Sequence, residues 1–172
     1  LYGWTKFTTD LQGSNSSKLG DSIAISQSGK YLVVGAPGDR SSRGSIFVYE
    51  RDGDYGWNEL TNRKIENNNN TNGYSSTSSD QLASMQFGSV VAVNENATII
   101  AVSSPYWAPP GEYIKSGAGI PGMVQIYQLQ SDNTYSKIGQ DLIGSQGDSA
   151  FVSQLYGSSI SLSSDGYRIA IG

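Results

Sequence analysis

Apolar and polar residues alternate along this chain in short runs, and the same runs return. Ile23 and Ile25, Val91 and Val93, and Ile160 and Leu162 each alternate with small or polar residues, the period-two pattern of a strand that turns one face to a core. Just downstream, Leu32-Val33-Val34, Ile100-Ala101-Val102 and Ile169-Ala170-Ile171 are continuously apolar, as a strand covered on both faces is. The residues between them, Gln27–Lys30, Glu95–Thr98 and Ser164–Tyr167, are turn formers, so each pair of runs predicts a hairpin.

Aligned without gaps, the three copies start at Leu19-Gly20, Phe87-Gly88 and Tyr156-Gly157, with glycine-to-glycine steps of 68 and 69 residues. A second block occurs twice, Gly44–Tyr49 and Gly122–Tyr127, followed at the same distance by Trp57 and Tyr135. Its closing part also matches Trp4–Phe7, and Asp10–Gly13 matches Asp141–Gly144. These add a third and a fourth strand to each period. One period is therefore a four-stranded antiparallel unit, which cannot cover its own faces and must stack on neighbours.

The chain divides accordingly into the end of a preceding unit (1–13), a unit over 19–60, a flexible connection over 61–86, a second unit over 87–144 and the first half of a third over 156–172. Stacked radially, such units make a β-propeller of about four to eight blades. The expected fold is all-β, with about two and a half blades present. Leu1 is no initiator and Gly172 falls in mid-blade, so the chain reads as a segment of a longer propeller, or else as one whose copies complete each other's sheets.

Leu19-Gly20 followed by Gly35-Ala36-Pro37, with variants at Phe87-Gly88 through Ser103-Ser104-Pro105 and at Tyr156-Gly157 through Gly172, resembles the FG-GAP repeat of integrin-α-like propellers. That resemblance implies a secreted or cell-surface protein. Many such blades carry an Asp-x-Asp-x-Asp-Gly calcium loop between their first two strands, but the turns here offer Ser28, Asn96 or Asp165, short of the oxygens a calcium ion needs. The calcium sites are not carried over. Glu50, Asp52 and Asp54 have alternate acidic spacing in the hairpin between the third and fourth strands; a solvated hairpin tip is the plain reading of them, and a calcium site the lesser alternative. No cofactor is expected.

Composition narrows the chemistry. Gly, Ser and Pro make up 54 of 172 residues, and much of that load is punctuation of the repeat rather than disorder. Neither histidine nor cysteine is present, which removes imidazole bases, thiol nucleophiles and the usual zinc ligands. No serine sits in Gly-x-Ser-x-Gly and no spacing singles out a carboxylate pair. The expectation is a non-enzyme. Net charge is −4 without a basic cluster, which argues against nucleic acid and anionic membrane as partners, and no apolar run is long enough to span a bilayer.

Three Asn-x-Ser/Thr sequons, at Asn15, Asn69 and Asn96, fall on predicted loops and turns and mark expected N-glycans. The serine- and asparagine-rich stretch Asn67–Ser79 is a further candidate for sugar. The insertion Tyr106–Pro121 carries Tyr106, Trp107 and Tyr113, aromatics suited to stacking on a sugar ring or anchoring a protein, unless Trp107 folds back onto the sheet. The leading expectation is an extracellular adhesion or structural assembly module with protein or glycan partners, able to self-assemble through incomplete blade edges. A carbohydrate-binding propeller using loop 106–113 is the alternative, and an accessory propeller of a larger secreted hydrolase the third.

Overall fold

The computed structural model describes residues 10–53, 56–67, 86–107, 120–145 and 155–172. Among these residues the fold is all-β, with three antiparallel sheets in sequence. The first holds β1 (Ser22–Ile25), β2 (Tyr31–Ala36), β3 (Ser45–Asp52) and β4 (Gly56–Glu59) in that spatial order, with β5 (Ile65–Glu66) also on β3. The second repeats the order with β6 (Val91–Val93), β7 (Ile99–Ser104), β8 (Met123–Leu129) and β9 (Tyr135–Ile143). The third is the hairpin of β10 (Ile160–Leu162) and β11 (Ile169–Ile171).

The registers are equivalent from sheet to sheet. Ile23 lies opposite Val34, which lies opposite Phe47, and Val91 lies opposite Val102, which lies opposite Gln125. Because side chains alternate across a strand, each sheet has a leading face toward the sheet before it and a trailing face toward the sheet after it. Val33, Ile46 and Val48 on the trailing face of the first sheet pack against Val91, Ile100, Val102 and Tyr127 on the leading face of the second, with Phe87 between them. Phe87 meets the Tyr127 ring edge to face, centroids 5.9 Å apart. This inter-sheet layer is the main core.

Glycine sets the seams. Gly20, Gly88 and Gly157 all have φ near +90°, and their N–H groups donate to the carbonyls of Gly35, Ser103 and Gly172. A Cβ on Gly88 would come within 2.8 Å of Ile46 Cδ1, and one on Gly157 within 2.8 Å of Val124 Cγ2, so the aromatic-glycine start of a unit lies flat against the third strand of the unit before.

Two differences from the sequence expectation have physical causes. Residues 61–86 do not begin as a loop: after a short helical turn over Thr61–Arg63, Ile65 and Glu66 pair with Ile46 and Ser45, so the fourth strand resumes as β5. In the second sheet the same edge is the continuous β9, with a register shift near Gly139, whose φ is +66°. Leu60 to Ile65 has one residue more than the matching Ile138 to Leu142, and the extra residue is absorbed by the turn. The second difference concerns Ile23 and Ile25, expected to face a core. They are 67% and 57% exposed, whereas Val91 at the equivalent place is 5% exposed, because that face is buried by the preceding sheet.

Candidate functional site

At one end of the first sheet the β2–β3 connection carries three consecutive non-glycine residues in the left-handed region, Arg40, Ser41 and Ser42, with φ of 53°, 59° and 65°. Each costs roughly 1 kcal/mol or more. The turn is held by Ser42 N–H donating to the Gly38 carbonyl and Gly44 N–H to the Asp39 carbonyl. It sets Asp39 beside the end of the fourth strand. The Asp39 carboxylate accepts from Ser14 Oγ at 3.1 Å and lies 3.3 Å from Lys64 Nζ. Lys64 also reaches Glu66 at 3.0 Å and stands 4.7 Å over the Phe47 ring, and Arg40 lies 3.3 Å from Glu66. Burial works to raise the Asp39 carboxyl, but the surrounding donors outweigh it and hold the group below its ordinary range. For Lys64 burial works downward and the Glu66 and Asp39 partners win, so the ammonium is held above its ordinary value. Two cationic and two anionic side chains compensate one another here in a positioned network.

Beside it a cleft of about 340 Å³ opens in the seam between the first two sheets, lined by Thr61, Lys64, Ile65, Glu66, Tyr127 and Tyr135. Its phenols are already engaged. The Tyr127 hydroxyl donates to Gln125 Oε1 at 3.2 Å, Gln125 Nε2 donates to Asp141 Oδ1 at 2.8 Å, and Lys137 Nζ is 2.7 Å from the same carboxylate. The Tyr135 hydroxyl donates to the Ala97 carbonyl. Burial pushes both phenols well above their ordinary value, so neither supplies a base near neutrality. A neighbouring cleft of about 270 Å³ is lined by Glu59, Leu60, Thr61, Asn62, Arg63 and Asn133, where Arg63 Nη2 donates to Asn133 Oδ1 at 3.1 Å. Sequence reasoning missed both clefts, because the chain from Thr61 reads as a connection; the apolar Ile65 amid polar neighbours was the available signal.

The tips of the hairpins β1–β2, β6–β7 and β10–β11 form the other notable surface. The Ser28 N–H donates to the Glu95 carboxylate at 3.1 and 3.2 Å, and the Glu95 N–H donates to the Ser164 carbonyl at 3.0 Å, so one tip from each sheet joins a chain of contacts. Hydrogen bonds from Ser28 hold the Glu95 carboxyl below its ordinary range. Asn94 shapes the middle tip: its Oδ1 accepts from the N–H groups of Thr98 and Ile99, both at 2.9 Å, and its Nδ2 donates to Thr98 Oγ1.

The predicted site residues scatter over these surfaces. Asn15 and Asn96 are exposed, while Asn69 lies outside the described residues. Asn67, the first residue of the Asn67–Ser79 stretch, is buried and donates through Nδ2 to the Arg43 carbonyl at 3.4 Å; the rest of that stretch lies outside the described residues. Of the aromatic insertion, Tyr106 is 43% exposed, but Trp107 is 7% exposed and packed on Met123, folded back onto the sheet and not offered to a ligand. Its backbone holds it there, with N–H donating to Ser104 and C=O accepting from Gly122. Tyr113 lies outside the described residues. Glu50 and Asp52 belong to β3 rather than to a hairpin tip, Glu50 pairs with Lys30 at 3.1 Å, and Asp54 lies outside the described residues. Among the described residues no three acidic groups converge as a metal site would require.

No family model matches this chain, and no curated protein matches it. Solved structures that resemble it include the periplasmic gluconolactonase PpgL of Pseudomonas aeruginosa, at 12% identity and a TM-score of 0.48, over 95% of this chain and 38% of that one. The chain thus spans little more than a third of that protein's length.

Proposed function

We propose that the chain is an extracellular, N-glycosylated and non-enzymatic β-propeller module of FG-GAP type that serves adhesion or structural assembly. The observation that carries this reading is the exposure of Asn15 and Asn96, two sequon asparagines whose side chains are open to solvent. The chemistry supports it from another side. The chain has no histidine or cysteine, and the shifted carboxyls and phenols of both surfaces are driven away from neutrality, not toward it. The repeat supplies sheets that stack face to face through an apolar seam, which suits a scaffold whose partners are proteins or glycans.

The carbohydrate-binding alternative has less support, with Trp107 buried and Tyr106 as the exposed aromatic in the described part of that loop. Beads coated with the glycosylated chain test the main reading: they are expected to adhere to cells or matrix of the source organism. Beads that adhere to neither would overturn it.

A further inference from the structure

Lys30, Lys64 and Lys137 each meet a carboxylate, those of Glu50, Glu66 and Asp141, at 3.1, 3.0 and 2.7 Å. Arg63 does not. Its Nη2 donates to the neutral amide oxygen of Asn133 at 3.1 Å, across the seam between the first two sheets, and its Nη1 is buried with no acceptor among the described residues. A guanidinium nitrogen in that state has given up water and gained no partner in exchange, a costly arrangement.

Local structure explains how Arg63 comes to stand there. The extra residue of the fourth strand is absorbed by the turn Thr61–Arg63, closed by Arg63 N–H donating to the Leu60 carbonyl at 2.7 Å before β5 resumes on β3. Asn133 sits in the turn between β8 and β9, at φ 64° with its N–H on the Gln130 carbonyl. Two turns thus bring both side chains to the wall of the 270 Å³ cleft, together with Glu59, Thr61 and Asn62.

The cleft is rich in donors and has an acceptor at its rim. Asn133 Oδ1 is taken by Arg63, and Asn62 Oδ1 accepts from Thr61 Oγ1 at 3.3 Å, which leaves the Nδ2 groups of both amides to donate. Glu59 is exposed. Its charge formally cancels that of Arg63, but an exposed carboxylate is screened far more than a buried guanidinium nitrogen, so one negative charge beside Arg63 is favoured. A planar carboxylate matches the N–H geometry of a guanidinium, and the amides and Glu59 suit hydroxyl groups around it.

We infer that this cleft binds a sugar acid, a hexuronate residue, with Arg63 Nη1 and the amides of Asn62 and Asn133 donating to its carboxylate end and Glu59 accepting from a ring hydroxyl. The guanidinium, tethered through Nη2 alone, pivots to meet it. Thr61 also lines the 340 Å³ cleft, where a second sugar residue can continue beside Tyr135. The site goes beyond the module reading, does not depend on it, and makes no use of loop 106–113.

Isothermal titration of the purified protein at neutral pH with glucuronate, glucose and acetate tests the inference. Glucuronate is expected to bind with a Kd of about 1 mM, and glucose and acetate at least about tenfold more weakly, since each supplies only part of the contacts. Arg63→Gln is expected to weaken glucuronate at least about tenfold, and Arg63→Lys, which keeps the charge and loses the planar fork, to recover only part of that loss. Asn62→Asp, an exposed change that keeps the acceptor for Thr61, is expected to weaken it as much and decides the matter if Arg63→Gln does not fold. No heat from glucuronate up to about 100 mM would overturn the inference. So would glucuronate binding no tighter than acetate, the mark of a bare anion site, or binding untouched by a folded Arg63→Gln, or by Asn62→Asp if that variant alone folds. Beads that adhere while the protein ignores glucuronate would sink the site and leave the module reading standing; glucuronate binding by a protein whose beads adhere to nothing would do the reverse.

Discussion

Ser22 donates its hydroxyl hydrogen to the Gly88 carbonyl at 2.8 Å, tying the first strand of one sheet to the turn that opens the next. The bond needs the flat backbone of Gly88, whose φ is +93° and whose absent side chain leaves room for Ile46. Gly88→Ala is therefore expected to cost about 2–4 kcal/mol, the unfavourable backbone region plus overpacking of the seam. Gly20→Ala, at nearly the same φ but facing open space, is expected to cost only about 1 kcal/mol. Urea unfolding of the two variants side by side checks the difference; equal losses would mean that seam packing is not what selects glycine.

Phe87 is fully buried in that seam and meets Tyr127 edge on. Phe87→Ala is expected to destabilise by about 3–5 kcal/mol. Phe87→Leu, which installs the residue found at position 19, is expected to cost less than about 1.5 kcal/mol. Denaturation midpoints give both values.

Acid is expected to loosen the network around Asp39 and the hairpin tips. Asp39 and Glu95 have carboxyls lowered in the folded state from ordinary values of 3.8 and 4.5, so what each contributes is fully present above those values and is lost as pH falls through the lower, folded one. The wild-type chain should lose stability between neutrality and about pH 3, and Asp39→Asn should lose less over the same interval. Urea titrations at the two pH values check this; an unchanged pH loss in the variant would exclude Asp39 as a contributor.

Trp107 is expected to behave as a packing residue. Trp107→Ala removes a ring buried on Met123 and should cost about 3 kcal/mol, with any glycan-array signal falling only as the folded fraction falls. A variant that folds normally and loses sugar binding would return Trp107 to the role of a ligand platform.

Much of the fold was legible because the repeat is ungapped where strands pair. Ile23, Val91 and Ile160 align, and their strands pair in equivalent registers. Burial was less legible, since alternation says which residues share a face but not whether a neighbouring sheet covers it, and Ile23 and Val91 part company for that reason. Nor does sequence tell an exposed aromatic from one folded back: Tyr106 and Trp107 are adjacent and have opposite fates, decided by the backbone bonds from Trp107 to Ser104 and Gly122. The clefts beside Thr61–Glu66 depend on a single inserted residue in the fourth strand, whose absorption into a turn leaves almost no compositional trace.

Glycopeptide mapping of the protein purified from its native source tests the extracellular module most directly. N-linked glycan on Asn15 and on Asn96, both exposed, is the result expected. Unmodified asparagine at both positions would contradict it.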